Sequence, residues 1–194
     1  MSERKQLHFK LYKPVGMLSQ LTSNDPKEIR SKSFLSELFN FPKSIMPIGR
    51  LDEKSEGLLL MTTDGQLSDK INRSGVEKEY LAQLDGVIGQ KELDRLQKGV
   101  EIGFKGLRYL TKPCQVKLLV SQPVVPPPHP SLRIGRHRPS SWITMIITEG
   151  KFRQIRKMTA AVGFPTQRLI RIRIGHIHLD DMAPGQVKEI MNLN

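Results

Sequence analysis

The chain has a single cysteine, Cys114, in 194 residues. One thiol excludes an internal disulfide and a zinc ribbon, and it makes a reducing cytoplasm the natural compartment. No apolar run approaches the ~20 residues that a membrane-spanning helix needs. The first residues, Met1 to Gln6, are polar and hold no signal-peptide core. Cofactor and nucleophile signatures are missing as well: there is no G-x-x-x-x-G-K-[ST] phosphate loop, no G-x-G-x-x-G after a strand, no H-E-x-x-H and no G-x-S-x-G elbow. His176 and His178, near Asp180 and Asp181, have too weak a spacing for a metal site and read as ordinary strand residues. An enzyme with this inventory is expected to use no metal, nucleotide or other cofactor and to work through its own side chains. The missing phosphate loop also excludes a nucleotide-driven RNA remodeller.

Acids are scarce: 19 Asp and Glu stand against 31 Lys and Arg, a formal net charge of +12. That imbalance implies attraction to a polyanion, RNA or DNA first of all. With 38% hydrophobic and 26% charged residues the composition is otherwise that of a globular protein. The length suits one domain, or one domain with two lobes, able to bury roughly 70% of its unfolded surface.

Along the chain, Leu7, Phe9 and Leu11 alternate with His8, Lys10 and Tyr12, the period of a half-buried strand. Lys13-Pro14-Val15-Gly16 reads as a turn and Met17–Gln20 as a short returning strand. Thr22–Lys32 reads as a loop, and Ser33 as the N-cap of a helix that Pro42 ends. Strands are expected over Leu58–Thr63, Tyr80–Leu84 and Trp142–Thr148, with two or three more between Val100 and Leu119; helices are expected over Gln66–Asn72 and Gln90–Lys98. Residues 121–141 hold six prolines among Arg133, Arg136, His137 and Arg138. Proline removes backbone donors, so this segment is either an ordered extended arm or a mobile basic loop. The sum is an α+β protein without the βαβ alternation of a doubly wound fold.

Two stretches carry the chemistry. In Gly49-Arg50-Leu51-Asp52 an acid follows an arginine at the end of an apolar approach, and Glu56–Thr63 is an apolar run closed by Asp64-Gly65. Asp52 is either a working carboxylate or a turn or N-cap acid; the second reading is weakened because a strand, not a helix, is expected next. Phe152, Ile155, Met158 and Val162 recur at helical spacing and should face a core, leaving Arg153, Arg156 and Lys157 as a stripe facing a phosphate, an active site or solvent. Ile170, Ile172 and Ile174 then alternate with Arg171 and Arg173, a strand with one apolar and one basic face. The apolar parity switches after Gly175, so a bulge or tight bend is expected there.

These residues resemble the signature motifs of the small-subunit-type bacterial rRNA pseudouridine synthases. Gly49–Asp52 with Gly57–Gly65 is similar to the family's aspartate motif, Lys13–Gly16 to its early turn, and Lys78-Glu79-Tyr80 to its tyrosine segment. Glu149–Met158 is similar to its third motif and Arg168–Arg171 to the strand after it. The resemblance covers nearly the whole chain. It lacks a counterpart of the N-terminal S4 RNA-binding domain that many members carry. With Ser141-Trp142 and the Thr159–Arg171 segment it looks most like the ribosomal large subunit pseudouridine synthase E group. It implies a pseudouridine synthase fold: a mixed, mainly antiparallel central sheet in two lobes, few flanking helices, and an active-site cleft between the lobes. Residues 1–194 would be one catalytic domain, monomeric, with the 121–141 arm inside it as a candidate for target selection. The implied reaction turns one uridine of ribosomal RNA, most often the 23S molecule, into pseudouridine. Asp52 would be the catalytic acid, attacking the sugar, taking the C2′ proton or adding to the pyrimidine ring. Arg156 would pair with it and Tyr80 would stack on the base. Arg50, Lys13, Lys78, Arg153 and Lys157 would contact RNA. The flipped base costs a few kcal/mol to extrude, which phosphate contacts offset in a salt-sensitive way. A non-catalytic RNA-binding or ribosome-associated protein is the alternative reading.

Overall fold

In the computed structural model, which describes residues 6–135 and 138–193, the first alternating segment forms β1 (His8–Lys13). It is more buried than alternation implies, since Tyr12 and Lys13 are as fully enclosed as Leu11. The returning strand shrinks to β2 (Met17–Leu18). The expected loop contains a short helix, α1 (Pro26–Ser31), started by Asp25, whose carboxylate accepts from the Lys27 amide at 2.8 Å. None of its residues is buried, so no apolar period announces it. The helix expected after Ser33 is absent. Ser33–Phe34 forms β3, which pairs in parallel with β2, and Leu35–Glu37 makes one 3-10 turn. Glu37 closes that turn by accepting from the Phe34 amide at 2.6 Å.

Next come β4 (Met46–Ile48), β5 (Glu56–Thr62) and α2 (Gly65–Arg73). Every residue of β5 is buried, and β1 and β4 both pair antiparallel with it. A strand covered on both faces carries a continuous apolar run instead of alternation. Asp64 caps α2 by accepting from the Gln66 and Leu67 amides at 2.9 and 3.0 Å. The core here is built from Phe9, Leu11, Met17, Leu35, Leu59 and Met61.

The chain divides into two compact units, one reaching Val76 and resuming at Arg171, the other Glu77–Ile170. The second begins with β6 (Lys78–Asp85), α3 (Gln90–Lys98), β7 (Glu101–Phe104), β8 (Leu107–Leu110) and β9 (Gln115–Leu118). It continues with β10 (Ser140–Ile147), α4 (Gln154–Ala161) and β11 (Thr166–Ile174), the last of which runs on into the first unit. β10 lies antiparallel between β6 and β9. α3 buries Leu93 and Leu96. Lys105 and Gly106, both at positive φ (50° and 78°), make the two-residue turn of the β7–β8 hairpin.

The described residues of the proline-rich segment hold neither helix nor strand until Ser140, with a turn at Pro130-Ser131; Arg136 and His137 lie outside them. Arg168 Nη2 donates to the Pro126 carbonyl at 2.9 Å, and Arg138 pairs with Asp85 at 3.3 Å while lying 5.5 Å from the Phe164 ring. In α4, Ile155, Met158 and Val162 are buried as expected, but Phe152 precedes the helix and is 67% exposed. Arg153 also stands before the helix, in the left-handed region at φ 53°, so the basic stripe reduces to Arg156 and Lys157.

Back in the first unit, β12 (Ile177–His178) folds onto β11, and β13 (Val187–Ile190) pairs antiparallel with β1. Ile174 faces Ile177 across a Gly175-His176 turn with Gly175 at φ 56°, the tight bend expected from the parity switch. The basic face of β11 is largely covered: Arg171 is 2% exposed and Arg173 half-buried, and Arg168, on the other face by strand alternation, is also 2% exposed. The strand order is β13-β1-β5-β11 in the first unit and β11-β6-β10-β9 in the second, an α+β architecture with few helices. Among the described residues no helix is long and apolar enough to cross a membrane.

Candidate active site

Asp52 sits on a turn pinned from two sides. Gly49 leaves β4 at φ 68°, and a Cβ there would lie 3.2 Å from the Asn72 side-chain oxygen. Arg50 is exposed and Leu51 buried. Ser19 clamps Leu51: its hydroxyl accepts from the Leu51 amide at 3.0 Å and donates to the Leu51 carbonyl at 2.8 Å. The Asp52 carbonyl accepts from the Ser55 amide at 2.9 Å, so its backbone belongs to a turn that leads into β5. The next carbonyl, of Glu53, accepts from the Gly16 amide at 2.8 Å and from Lys13 Nζ at 3.5 Å. The result is a half-buried aspartate on a fixed backbone, the arrangement that orients a reacting group at low entropic cost.

Lys13 corrects an expectation. Its side chain is wholly enclosed, and Nζ donates to the carbonyls of Pro14 and Met17 at 2.7 and 2.8 Å. It therefore ties the early turn to the Asp52 turn and is closed to RNA phosphate. Burial pulls its pKa down to about 7; the Glu56 charge works against this, Arg171 adds to it, and Glu53 and Asp52 oppose it. Beside it the Tyr12 hydroxyl donates to Glu56 at 2.8 Å, and Arg171 Nε donates to the Leu58 carbonyl at 2.7 Å. Sequence reasoning missed this buried set of Tyr12, Ser19, Glu56 and Arg171. The one available signal was a charged residue beside an apolar run, at Glu56 and Arg171.

The remaining expected residues lie in the second unit. Tyr80 is buried in β6 opposite Met145, and Lys78 is half-buried opposite Ile147. Arg156 is half-buried on α4 and donates to the Thr166 carbonyl at 3.1 Å, next to the 2.8 Å contact between the Thr159 and Thr166 hydroxyls. Lys157 donates to the Gly103 carbonyl at 2.7 Å, and Arg153 is exposed. Buried Gln154 donates to Glu149 at 2.6 Å. Burial raises the Glu149 pKa, but hydrogen bonds from the Tyr109 hydroxyl, the Lys112 amide and Gln154 outweigh it and hold the carboxyl below its ordinary value. Asp52, Arg50 and Lys13 thus share one unit, and Tyr80, Lys78, Arg153, Arg156 and Lys157 the other. Among the described residues no three His, Cys, Asp or Glu side chains gather as a metal site would require.

A pinned aspartate ahead of a buried strand, in a strongly basic α+β chain, is compatible with an enzyme that acts on RNA, and the comparisons with known proteins supply the class. The chain belongs to the RNA pseudouridylate synthase family, which residues 8–161 match. It is 40% identical over 176 residues to ribosomal large subunit pseudouridine synthase E of Xanthomonas axonopodis pv. citri, covering 90% of this chain and 88% of the relative. The protein of the same name from Vibrio parahaemolyticus is 38% identical over 180 residues, covering 92% and 71%. Among solved structures, a crystal structure of pseudouridylate synthase superposes with a TM-score of 0.75 at 25% identity, over 98% of this chain and 72% of that one. The family read from the motifs is borne out.

Proposed function

We propose that this chain isomerises one uridine of large-subunit ribosomal RNA to pseudouridine, with Asp52 as the catalytic carboxylate. The N1–C1′ bond breaks, the base turns, C5 bonds to C1′, and the proton lost from C5 is balanced by one gained at N1, so no cofactor is consumed. The observation that carries the reading is the turn that holds half-buried Asp52, pinned through Ser19 at Leu51 and Lys13 at Glu53. The net charge of +12 supports RNA as partner, and the names of the relatives support large-subunit RNA as the target. Tyr80 stacks on the target base, Arg156 supplies the guanidinium of the third motif, and Arg50, Lys78, Arg153 and Lys157 meet the RNA. The protein acts as a monomer.

The test is tritium release from ribosomal RNA labelled with 5-³H-uridine. Wild type releases tritium, and Asp52→Asn is slower by at least ~100-fold while binding the same RNA within about twofold. No release by wild type from RNA that it binds well overturns the proposal.

A further inference from the structure

Residues 101–112 and 149–157 of the second unit hold seven Lys or Arg and two Glu. Three of these cations are set on aromatic rings. Lys151 Nζ lies 4.9 Å from the Tyr109 ring centroid and 5.3 Å from that of Phe104, whose rings are 6.0 Å apart. Lys105 Nζ is 5.7 Å from the Phe104 centroid. Lys157 Nζ is 5.3 Å from the Phe152 centroid and is fixed there by its bond to the Gly103 carbonyl. The two acids leave an excess of five cations. Glu149 accepts from Tyr109, Gln154 and the Lys112 amide, and Glu101 lies 3.7 Å from Arg108. Within the same patch Phe152 is 67% exposed and Leu107 73% exposed. A phenyl ring left in water, with a lysine at one side and cations around it, matches what a nucleotide offers: a flat base face flanked by phosphates.

We infer that the β7–β8 hairpin and the turn into α4 form a binding surface for single-stranded RNA, on which Phe152 stacks with a base and Lys105 and Lys151 meet neighbouring phosphates. A paired duplex hides its base faces, so the ring selects unpaired nucleotides. The inference rests on the reading of this chain as an RNA-modifying enzyme and adds Phe152, Lys105 and Lys151 to the RNA contacts expected on the same segment.

The experiment measures binding of the full chain to fluorescein-labelled single-stranded oligo(U) of twelve nucleotides, a 12-base-pair RNA duplex and poly-glutamate, at two salt concentrations. Phe152→Ala is expected to weaken oligo(U) binding by about tenfold, to change duplex binding by less than about twofold, and to leave the salt dependence unaltered. Phe152→Trp is expected to restore it. Lys105→Gln should lower the salt slope on oligo(U) by about 0.7. Oligo(U) binding by Phe152→Ala within twofold of wild type, equal losses on strand and duplex, or poly-glutamate binding as tight as oligo(U) would each overturn the inference. Tritium release by wild type is measured alongside: its absence sinks the enzymatic reading, whereas its presence with an unaffected Phe152→Ala sinks only this surface.

Discussion

Replacing Lys13 by methionine should change how the stability of the fold depends on pH. The unfolded lysine titrates at 10.5 and the enclosed one at about 7. Between those values the unfolded chain holds a proton that the folded chain has released, so raising the pH stabilises the fold. Below pH 7 both forms are protonated and the full penalty of burying the charge applies; above 10.5 neither is, and the penalty is gone. The whole interval corresponds to about 5 kcal/mol at ~1.4 kcal/mol per pH unit, and the part between pH 6.5 and 9.5 to about 3 kcal/mol. Lys13→Met has no such proton. It does leave the Pro14 and Met17 carbonyls without the Nζ donor, a loss of ~1–3 kcal/mol that does not vary with pH. Urea unfolding of wild type and variant, followed by far-UV circular dichroism at pH 6.5 and 9.5, reads the difference directly, because the other titrating groups are common to both proteins. Wild type should gain about 3 kcal/mol on the variant between the two pH values. Lys13→Arg, charged throughout, should show no gain with rising pH. A wild-type-minus-methionine difference constant to within about 1 kcal/mol would refute the claim that Lys13 is buried at this cost.

Two further tests address the second unit. Gly99 has φ 94° and ψ 150°, and a Cβ there would come within 2.2 Å of the Thr111 carbonyl oxygen. Gly99→Ala should therefore cost about 3 kcal/mol or more, against about 1 kcal/mol for Gly106→Ala, which meets nothing within 4 Å; chemical denaturation separates the two, and equal losses would contradict the clash. Cys114 has its thiol pKa pushed up to about 11 by burial and by the Glu149 charge, and Sγ donates to the Leu96 carbonyl at 3.2 Å. At pH 8 its alkylation by iodoacetamide, followed by mass spectrometry, should be at least ~100-fold slower than that of a free thiol, and labelling at the free-thiol rate would show the site to be open.

The features legible in the chain are those set by neighbours in sequence. α3 spans Gln90–Lys98 as expected, a helix follows the Asp64-Gly65 turn after β5, and Gly175 marks a tight bend. Each rests on a local cause: an apolar face, a carboxylate beside free amides, a residue that tolerates positive φ. The errors share a cause as well. α1 has no buried face to read, and the expected helix at Ser33 gave way to a parallel pairing with β2. Two lobes were expected, but their boundaries were not legible, because one falls between Val76 and Glu77, without any linker composition, and the other inside β11.

For the candidate site the split is similar. Asp52, its arginine neighbour and the apolar strand beyond them are a one-dimensional pattern, and it took the other motifs, in order along nearly the whole chain, for the resemblance to an RNA-modifying family to appear. What encloses that aspartate's turn is not one-dimensional. Lys13 reaches a carbonyl 40 residues away and Arg171 one 113 residues away. Sequence by itself determined which groups the chain can offer; tertiary structure decided which cations face solvent and which are spent holding the backbone. The physical reason is that a charge is assigned to surface or interior by what covers it, and the covering strands of β1 and β11 come from distant parts of the chain.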